Sequence, residues 1–246
     1  MRFFIELSYK GTNYHGWQIQ PNCQTVQSEI NSALTTLLGD KIQVMGAGRT
    51  DAGVHAIQMF AHFDSEVFFD EKNLKIRLNR FLPFDIVVHN IFQVSEDVSS
   101  RFDALSRTYT YHVIMRKNPF IEHAYLLHKE PDIDSMNLAC KYILGKHDFT
   151  SFSKVNTQTS TNNCDVMFAQ WEEIGNELIF TIRSNRFLRN MVRSIVGTLL
   201  DVGSGKISVD RVKEIINSRD RCLAGKSVPA YGLFLTKVEY PRDLIK

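Results

Sequence analysis

At 246 residues the chain is long enough for one large domain or two smaller ones, because domains hold roughly 100 to 200 residues each. An apolar share of 43% with 23% charged residues is ordinary for a globular protein with a packed core, and it argues against a disordered chain. No apolar run approaches the roughly 20 residues that a membrane span needs. The formal net charge of +2 permits a nucleic-acid partner without demanding one.

Strands and helices alternate in the first part of the chain. Alternating apolar and polar residues predict short strands or extended segments. They lie at 3–7, 41–45, 57–63 and 86–94. Apolar residues spaced three and four apart predict two helices between them. These cover 25–38, closed by Gly39, and 73–80, stopped before Pro83. Residues 97–103 are polar and lose the period, which predicts a domain boundary there.

The second part of the chain continues the same mixture. Further strands are predicted at 107–115, 167–174, 177–183 and 233–240. Helices are predicted at 134–144, 187–202 and 208–218. Because several strands neighbour one another like hairpins, the pattern predicts an α+β fold around a largely antiparallel sheet.

The N-terminus and the cysteines indicate the compartment. Met1 leads directly into a strand-like segment without the apolar core and cleavage site of a signal peptide, so export is not expected. The cysteines are scattered and form no CxxC pair; they are Cys23, Cys140, Cys164 and Cys222. This spacing argues against a zinc site or a disulfide framework and predicts a cytoplasmic protein.

The glycine-rich segment GAGRTDAGVHA, residues 46–56, places Asp51 beside Arg49 in a sharply bending loop. It lacks the spacing of a dinucleotide fingerprint and the Lys and Ser or Thr of a phosphate loop. Asp51 and His55 are too few ligands for a closed metal site, so no metal is predicted. A glycine-permitted turn with a surface Arg–Asp pair is the simplest alternative.

Arginines form a second group of candidates. On the predicted helix at 187–202, Arg189 and Arg193 share one stripe with the preceding Arg186. Arg101 and Arg107 lie further upstream, flanked by aromatic residues that include Tyr109. A solvated helix face is the common explanation for such charges, although arginine without lysine favours planar phosphate or carboxylate groups. Basic residues interleaved with aromatics also suit unstacked bases.

Six motifs occur together in one order along the chain. They are YKGTNYHGWQ with TVQ (9–18 and 25–27), GRTDAGVHA (48–56), RTYTYHV (107–113), HDFTSF (147–152), MVRSIVG (191–197) and GLFL (232–235). With them the sequence resembles the tRNA pseudouridine synthase A family over nearly its whole length. The chain departs from the family at Ser99 and Ser100, where the family often has His-Ala, so no contact of that histidine is carried over.

The resemblance implies an activity and an architecture. Members of the family isomerise uridine to pseudouridine at positions 38 to 40 of tRNA, in the anticodon stem-loop, without a cofactor and as homodimers. Their fold is a mixed, largely antiparallel sheet flanked by helices, in two α/β subdomains with the active-site cleft between them. For this chain we expect an N-terminal domain over 1–103 that carries the aspartate loop and a C-terminal domain over 104–246.

The resemblance also implies roles for single residues. Asp51 matches the catalytic aspartate, Arg49 the arginine that holds the extruded nucleotide, and Tyr109 the tyrosine that packs on the uracil. Arg193 matches the basic partner of the aspartate. Further residues are expected to line the pocket or to contact RNA: Leu233 and Leu235 for the pocket, and Arg101, Arg107, Arg186 and Arg189 for RNA.

Two other classes of function are alternatives to the synthase. A non-catalytic RNA-binding module explains the arginines and the tyrosines, but a carboxylate in a phosphate-facing loop would repel its ligand. A small-molecule hydrolase or transferase would pair Asp51 with a second acid, a metal or a nucleophile, and the sequence shows no such set. Whether Asp51 attacks C1′ or C6 or promotes elimination through a glycal stays open at this stage.

Overall fold

The computed structural model describes residues 1–154 and 161–244, and the chain divides into two compact units. Unit 1 comprises Met1–Leu105 and Phe234–Lys246, and unit 2 comprises Ser106–Leu233. The boundary predicted after residue 103 lies close to the first division. The second domain was expected to cover 104–246. In the structure, the C-terminal segment from Phe234 onward belongs to unit 1 instead.

Ten strands and five α-helices are assigned within the described residues. The strands are β1 (Arg2–Tyr9), β2 (Met45–Gly46), β3 (His55–Asp64), β4 (Ile86–Val94), β5 (Ser106–Ile114), β6 (Tyr125–Leu126), β7 (Gly145–Asp148), β8 (Asn163–Ile174), β9 (Glu177–Ser184) and β10 (Leu233–Glu239). The helices are α1 (Val26–Leu38), α2 (Glu71–Phe81), α3 (Ile133–Cys140), α4 (Met191–Gly203) and α5 (Arg211–Ser218). The α+β class predicted from the sequence is therefore confirmed.

In unit 1 the strand order is β4-β1-β3-β10, and β2 also pairs with β3. The pairings of β1 with β3 and β4 are antiparallel, whereas β10 runs parallel to β3 through Phe234 and Leu235. This parallel pairing is why the last strand returns to the first unit. Only the end of the extended segment predicted at 41–45 forms a strand, the two-residue β2.

Helix α1 begins and ends where the sequence predicts. Thr25 caps its N-terminus through a reciprocal capping box with Ser28, and Gly39 ends it in the left-handed conformation at φ 72°. The N–H groups of Val26 and Gln27, which have no partner inside the helix, donate to the carbonyls of Gly16 and Trp17. The helix therefore also fixes the chain segment that precedes it.

In unit 2 the strands follow the order β6-β5-β9-β8-β7, with β6 parallel to β5 and the other pairs antiparallel. The short strands β6 and β7 carry too few residues to show a period, and the sequence did not predict them. Strand β5 buries Tyr109, Tyr111 and Val113 on one face, as predicted, but it ends at Ile114, before Met115. Large side chains fill the core of the unit: Tyr111, Phe149, Phe152, Trp171 and Phe180.

Helix α4 corrects one prediction. It begins at Met191 instead of Phe187, because Asn190 adopts the left-handed conformation at φ 67° and interrupts the helical path. Arg186 therefore lies in an irregular segment and Arg189 in a turn, while Arg193 alone of the three is on the helix. The predicted stripe of three arginines on one helix is wrong.

The linker that differs from the family pattern is held by buried hydrogen bonds. The Ser100 hydroxyl donates to the Met45 carbonyl at 2.7 Å, and its N–H donates to Nδ1 of His62 at 3.1 Å. The Tyr240 hydroxyl donates to the carbonyl of Ser100, which is fully buried. Ser100 thus has a structural place in unit 1.

Among the helices of the described ranges, none is long and apolar enough to cross a membrane.

Candidate active site

The glycine-rich loop turns the chain from β2 into β3 and carries Asp51 at the turn. The N–H of Val54 donates to the Asp51 carbonyl at 3.2 Å, which closes a tight turn over 51–54. Gly53 within it has φ +78°, a conformation that residues with a Cβ rarely adopt. Asp51 is half-buried and Arg49 is exposed. The loop therefore presents a carboxylate from a defined backbone position directly before a strand.

The N-terminal motif YKGTNYHGWQ lies against this loop along its length. The Trp17 N–H donates to the Thr50 carbonyl at 3.2 Å, and the Gly53 N–H donates to the Tyr14 carbonyl at 3.3 Å. The Tyr9 hydroxyl lies 2.9 Å from the hydroxyl of Thr50. The segment 9–17 consequently contacts the chain on both sides of Asp51. We name this segment together with the loop 46–56 the aspartate clamp.

Close approaches explain the glycines of the clamp. A Cβ on Gly46 would lie 2.5 Å from the ring of Trp17, and a Cβ on Gly11 would lie 2.0 Å from the Val54 carbonyl oxygen. Neither position has room for a side chain. Gly48 differs from both, because a Cβ there would meet no atom within 4 Å and its φ is not positive.

His55, the last polar residue of the motif, has a structural contact of its own. Its Nδ1 accepts a hydrogen bond from the Gly11 N–H at 3.1 Å, and its ring stacks on Phe234 with centroids 4.7 Å apart. The side chain is buried. Since Nδ1 is engaged, a metal ion at this atom would have to displace that bond. Leu235, a predicted pocket residue, is buried on β10 and pairs with Ala56 next to His55.

The clamp is also tied to the start of β4. The Tyr14 hydroxyl donates to the carboxylate of Asp85, and the Asn13 side chain donates to the same carboxylate at 3.1 Å. Burial and then the bond to Asp85 raise the pKa of Tyr14 well above its usual range. Tyr14 therefore stays a protonated donor at any physiological pH.

In unit 2, the segment 185–190 brings several predicted residues together. Arg107, at the start of β5, donates to the Asn185 carbonyl at 2.8 Å. Tyr109, two residues further, is buried and meets the Phe187 ring edge-on, with centroids 5.1 Å apart. Arg186 lies between these two contacts along the segment. The T-shaped contact fixes the plane of the Tyr109 ring.

Arg193 is oriented by a second segment, 225–229, which runs along α4. The Arg193 Nε donates to the Val228 carbonyl at 2.7 Å, and the Val228 N–H donates back to the Arg193 carbonyl at 3.2 Å. A Cβ on Gly197 would lie 1.9 Å from the Lys226 carbonyl oxygen, so this glycine permits the close packing. The Gly225-Lys226-Ser227 run, which resembles part of a phosphate loop, is thus a packing segment.

The charge of Arg193 acts on a neighbouring tyrosine. Burial raises the pKa of Tyr111 well above its usual range, and the Arg193 guanidinium opposes that rise. The Tyr111 hydroxyl donates to the Pro229 carbonyl at 2.9 Å, in the same segment that holds Arg193. The segment 225–229 therefore contacts both Arg193 and Tyr111 inside unit 2.

The remaining predicted residues lie on surfaces or in the core. Arg189 is exposed in its turn, and its carbonyl accepts from the Lys154 N–H at 3.0 Å. Arg101 is exposed and sits over the ring of Phe102 at 5.3 Å, while Leu233 is buried. Within residues 1–154 and 161–244, no group of three or more His, Cys, Asp or Glu side chains could hold a metal ion.

Sequence reasoning missed the residues that support the predicted ones. Tyr9, Trp17 and the Thr50 hydroxyl belong to the motifs, but no role follows from their spacing alone. Phe187 and Val228 lie in stretches without a period, and only the fold brings them to Tyr109 and Arg193. The glycines were a usable signal of close packing. Gly11, Gly16 and Gly46 each lie where the N-terminal segment and the aspartate loop approach one another too closely for a Cβ.

Comparison with known proteins identifies the family. The family model described as tRNA pseudouridine synthase matches residues 139–241. A protein of Parabacteroides distasonis named tRNA pseudouridine synthase A is 51% identical over 245 residues, which cover 99% of this chain and 97% of that protein. Proteins of the same name from Bacteroides thetaiotaomicron and Bacteroides fragilis are 50% and 49% identical, over 99% and 100% of this chain and 92% and 98% of theirs. The chain therefore belongs to the tRNA pseudouridine synthase A family.

Proposed function

We propose that this protein isomerises uridine to pseudouridine at positions 38 to 40 of tRNA, with Asp51 as its catalytic carboxylate. Membership of the family makes it an isomerase that acts on tRNA uridine. The assignment to Asp51 is supported by one observation above all: the aspartate clamp fixes the backbone on both sides of a half-buried carboxylate. The exposed Arg–Asp pair that a simple surface turn would carry has no need of such a clamp.

The chemistry suits a single carboxylate. The uracil must leave C1′ through N1, turn, and rejoin C1′ through C5, so neither water nor an oxidant is consumed. A carboxylate can act at the sugar as nucleophile or charge stabiliser, or at C6 of the base, or as the base of an elimination. The target nucleotide must also leave the base stack before these bonds can be reached. A carboxylate on a fixed turn would keep its position while the nucleotide is outside the stack.

The other predicted residues receive supporting roles in the same proposal. Arg49 holds the extruded nucleotide through its phosphate, Tyr109 packs on the uracil, and Arg193 contributes its positive charge to the reaction. Leu233 and Leu235 line the apolar wall. The edge-on contact with Phe187 and the bond to Val228 support the roles of Tyr109 and Arg193, because they fix one ring and one guanidinium.

Binding of the tRNA is assigned to arginines outside the reacting centre. We propose phosphate contacts for Arg101, Arg107, Arg186 and Arg189, of which Arg101 and Arg189 are exposed. The homodimer and the cytoplasmic location are proposals on the resemblance to the family. The four cysteines are free, which is compatible with a reducing compartment.

The proposal is tested with Asp51→Asn, which removes the charge and the nucleophile and keeps the shape. We expect no pseudouridine after incubation with unmodified tRNA, while tRNA affinity stays within a few-fold of the wild type. The control is Asp40→Asn, an equal change at an exposed residue beyond α1, which should leave turnover intact. Substantial turnover by Asp51→Asn would remove the catalytic assignment. Binding without product in the wild-type protein would instead favour the RNA-binding module.

A further inference from the structure

Thr50, the residue directly before Asp51, is held by two hydrogen bonds to the segment 9–17. Its side-chain hydroxyl lies 2.9 Å from the Tyr9 hydroxyl, and the two residues are only 8% and 4% exposed. Its carbonyl accepts from the Trp17 N–H at 3.2 Å. A Cβ on Gly16 would lie 2.4 Å from the same carbonyl oxygen, so the two backbone segments are too close for a side chain at this position.

Tyr9 reaches Thr50 from an irregular end of β1. The register of β1 against β3 shifts between Leu7 and Tyr9, and Tyr9 pairs with Ala56. Such irregularities re-aim a side chain relative to a regular strand. The Tyr9 ring also lies 6.0 Å from the ring of Trp17, the residue that holds the Thr50 carbonyl. The tyrosine hydroxyl is therefore placed by the strand on one side and by an aromatic neighbour on the other.

The bond between the two hydroxyls transmits position to Asp51 through one peptide. Threonine is β-branched, so fixing its hydroxyl also fixes its stiff χ1 angle and restrains the main chain. The peptide plane then joins this restrained residue to Asp51. A displacement of about 1 Å at a reacting group can lower a rate by about 100-fold. Removal of either hydroxyl leaves the other buried without this partner, which favours a shift of the loop.

We propose that Tyr9 and Thr50 form a positioning pair that sets the Asp51 carboxylate for catalysis. The inference rests on the proposed role of Asp51. Neither residue is assigned a chemical step; both act through the backbone that carries Asp51. The pair therefore governs the rate of the bound complex and leaves the affinity for tRNA nearly unchanged.

The test measures kcat and KM for tRNA in four variants beside Asp51→Asn. We expect Tyr9→Phe and Thr50→Val each to lower kcat by about 10- to 100-fold, with KM within about 3-fold. Thr50→Ser keeps the hydroxyl and should retain most of kcat. The double variant Tyr9→Phe with Thr50→Val should be little worse than the poorer single variant, because both changes break the same bond.

Two controls separate positioning from stability. Tyr240→Phe removes another buried hydroxyl bond in unit 1, to the Ser100 carbonyl, and should lower the melting temperature without lowering kcat. Circular dichroism reports whether each variant folds, and Thr50→Val, which removes the same bond, serves as the readout if Tyr9→Phe does not fold. Wild-type kcat in folded Tyr9→Phe and Thr50→Val, or equal loss in Tyr240→Phe, overturns the positioning pair. An active Asp51→Asn variant would instead remove the proposed function on which it rests.

Discussion

The aspartate clamp of unit 1 and the arginine-bearing segment 185–193 of unit 2 differ in how strongly their residue types constrain the backbone. In the clamp, glycines lie where a Cβ would collide with Trp17 or with a carbonyl oxygen. The residue type at these positions is therefore dictated by the backbone conformation. In the segment 185–193, the apolar positions continue smoothly into a helix, yet Asn190 turns left-handed and the helix begins only at Met191.

The difference shows what kind of signal fixes a local conformation. A glycine required by a close contact excludes other residues, whereas an apolar stripe indicates which face is buried and leaves the first helical residue open. Asn is a preferred N-cap residue, but the Asn190 side chain makes no cap bond to the helix and donates to the Ser227 hydroxyl instead. Arginine positions counted along the stripe therefore place only Arg193 correctly on α4.

The largest difference within unit 2 is expected between Arg193 and Arg189. Arg193→Ala should lower turnover at saturating tRNA by about 100-fold, because the proposed function gives its charge a role in the reaction. Arg189→Ala should raise KM a few-fold and leave turnover nearly unchanged, because this side chain is exposed in a turn. Steady-state kinetics on one tRNA separates the two effects. A turnover loss in Arg189→Ala without one in Arg193→Ala would reverse the assignment.

The glycines of the loop provide a stability test of the clamp. Gly46→Ala should lower the free energy of unfolding by about 1 to 3 kcal/mol, because its Cβ would enter the Trp17 ring. Gly48→Ala, two residues along, should change it by less than about 0.5 kcal/mol, since its Cβ meets open space. Denaturant unfolding of both variants measures the contrast. Equal effects at the two positions would mean that the close approach to Trp17 does not constrain the loop.

The linker around Ser100 is held by buried hydrogen bonds instead of close-packed glycines, and one of its partners is His62. Burial, and next the charge of Arg2, lower the pKa of His62, which bonds Ser100, while Asp64 opposes the shift. The unfolded chain therefore binds a proton on this residue more readily than the folded chain does. Stability should be insensitive to His62 above about pH 6.5 and fall as the pH decreases below that value.

The measurement for this prediction is the free energy of unfolding between pH 7 and pH 5. We expect His62→Gln to show a flatter dependence on pH than the wild type, because the group that takes up the proton is gone. Identical slopes in the two proteins would show that His62 is not protonated differently in the folded and unfolded chains.

The smallest effect is expected from removal of divalent metal. Activity on a prefolded anticodon stem-loop should be the same with and without EDTA, because Asp51 is assigned the chemistry without a metal ion. Prefolding separates the protein from any magnesium that the RNA needs to fold. Activity that is lost in EDTA and restored by one particular divalent ion would contradict the assignment.

The sequence predicted the fold class and most strands and helices, because long periodic segments carry a strong signal. The prediction was weakest where few residues form an element, as in β6 and β7, and where a single backbone angle decides a boundary, as at Asn190. The return of the C-terminal strand to β3 was not predicted, since a parallel pairing is long-range and leaves no local trace in the sequence.

The candidate site was predicted through motif matches, and its supporting contacts were not. Asp51, Tyr109 and Arg193 have assigned roles only because the chain resembles a family. The supporting residues Tyr9, Phe187 and Val228 lie far along the chain from Asp51, Tyr109 and Arg193, so the fold was needed to find their contacts.

The isomerisation itself is tested most directly with tRNA that carries tritium at C5 of uracil. When the glycosidic bond forms at C5, that carbon holds two substituents until its original hydrogen leaves, and the loss restores the conjugated ring. We predict one tritium released to solvent for each pseudouridine formed, with no free uracil at any time and no release by Asp51→Asn. Free uracil in place of pseudouridine would show hydrolysis and contradict the account.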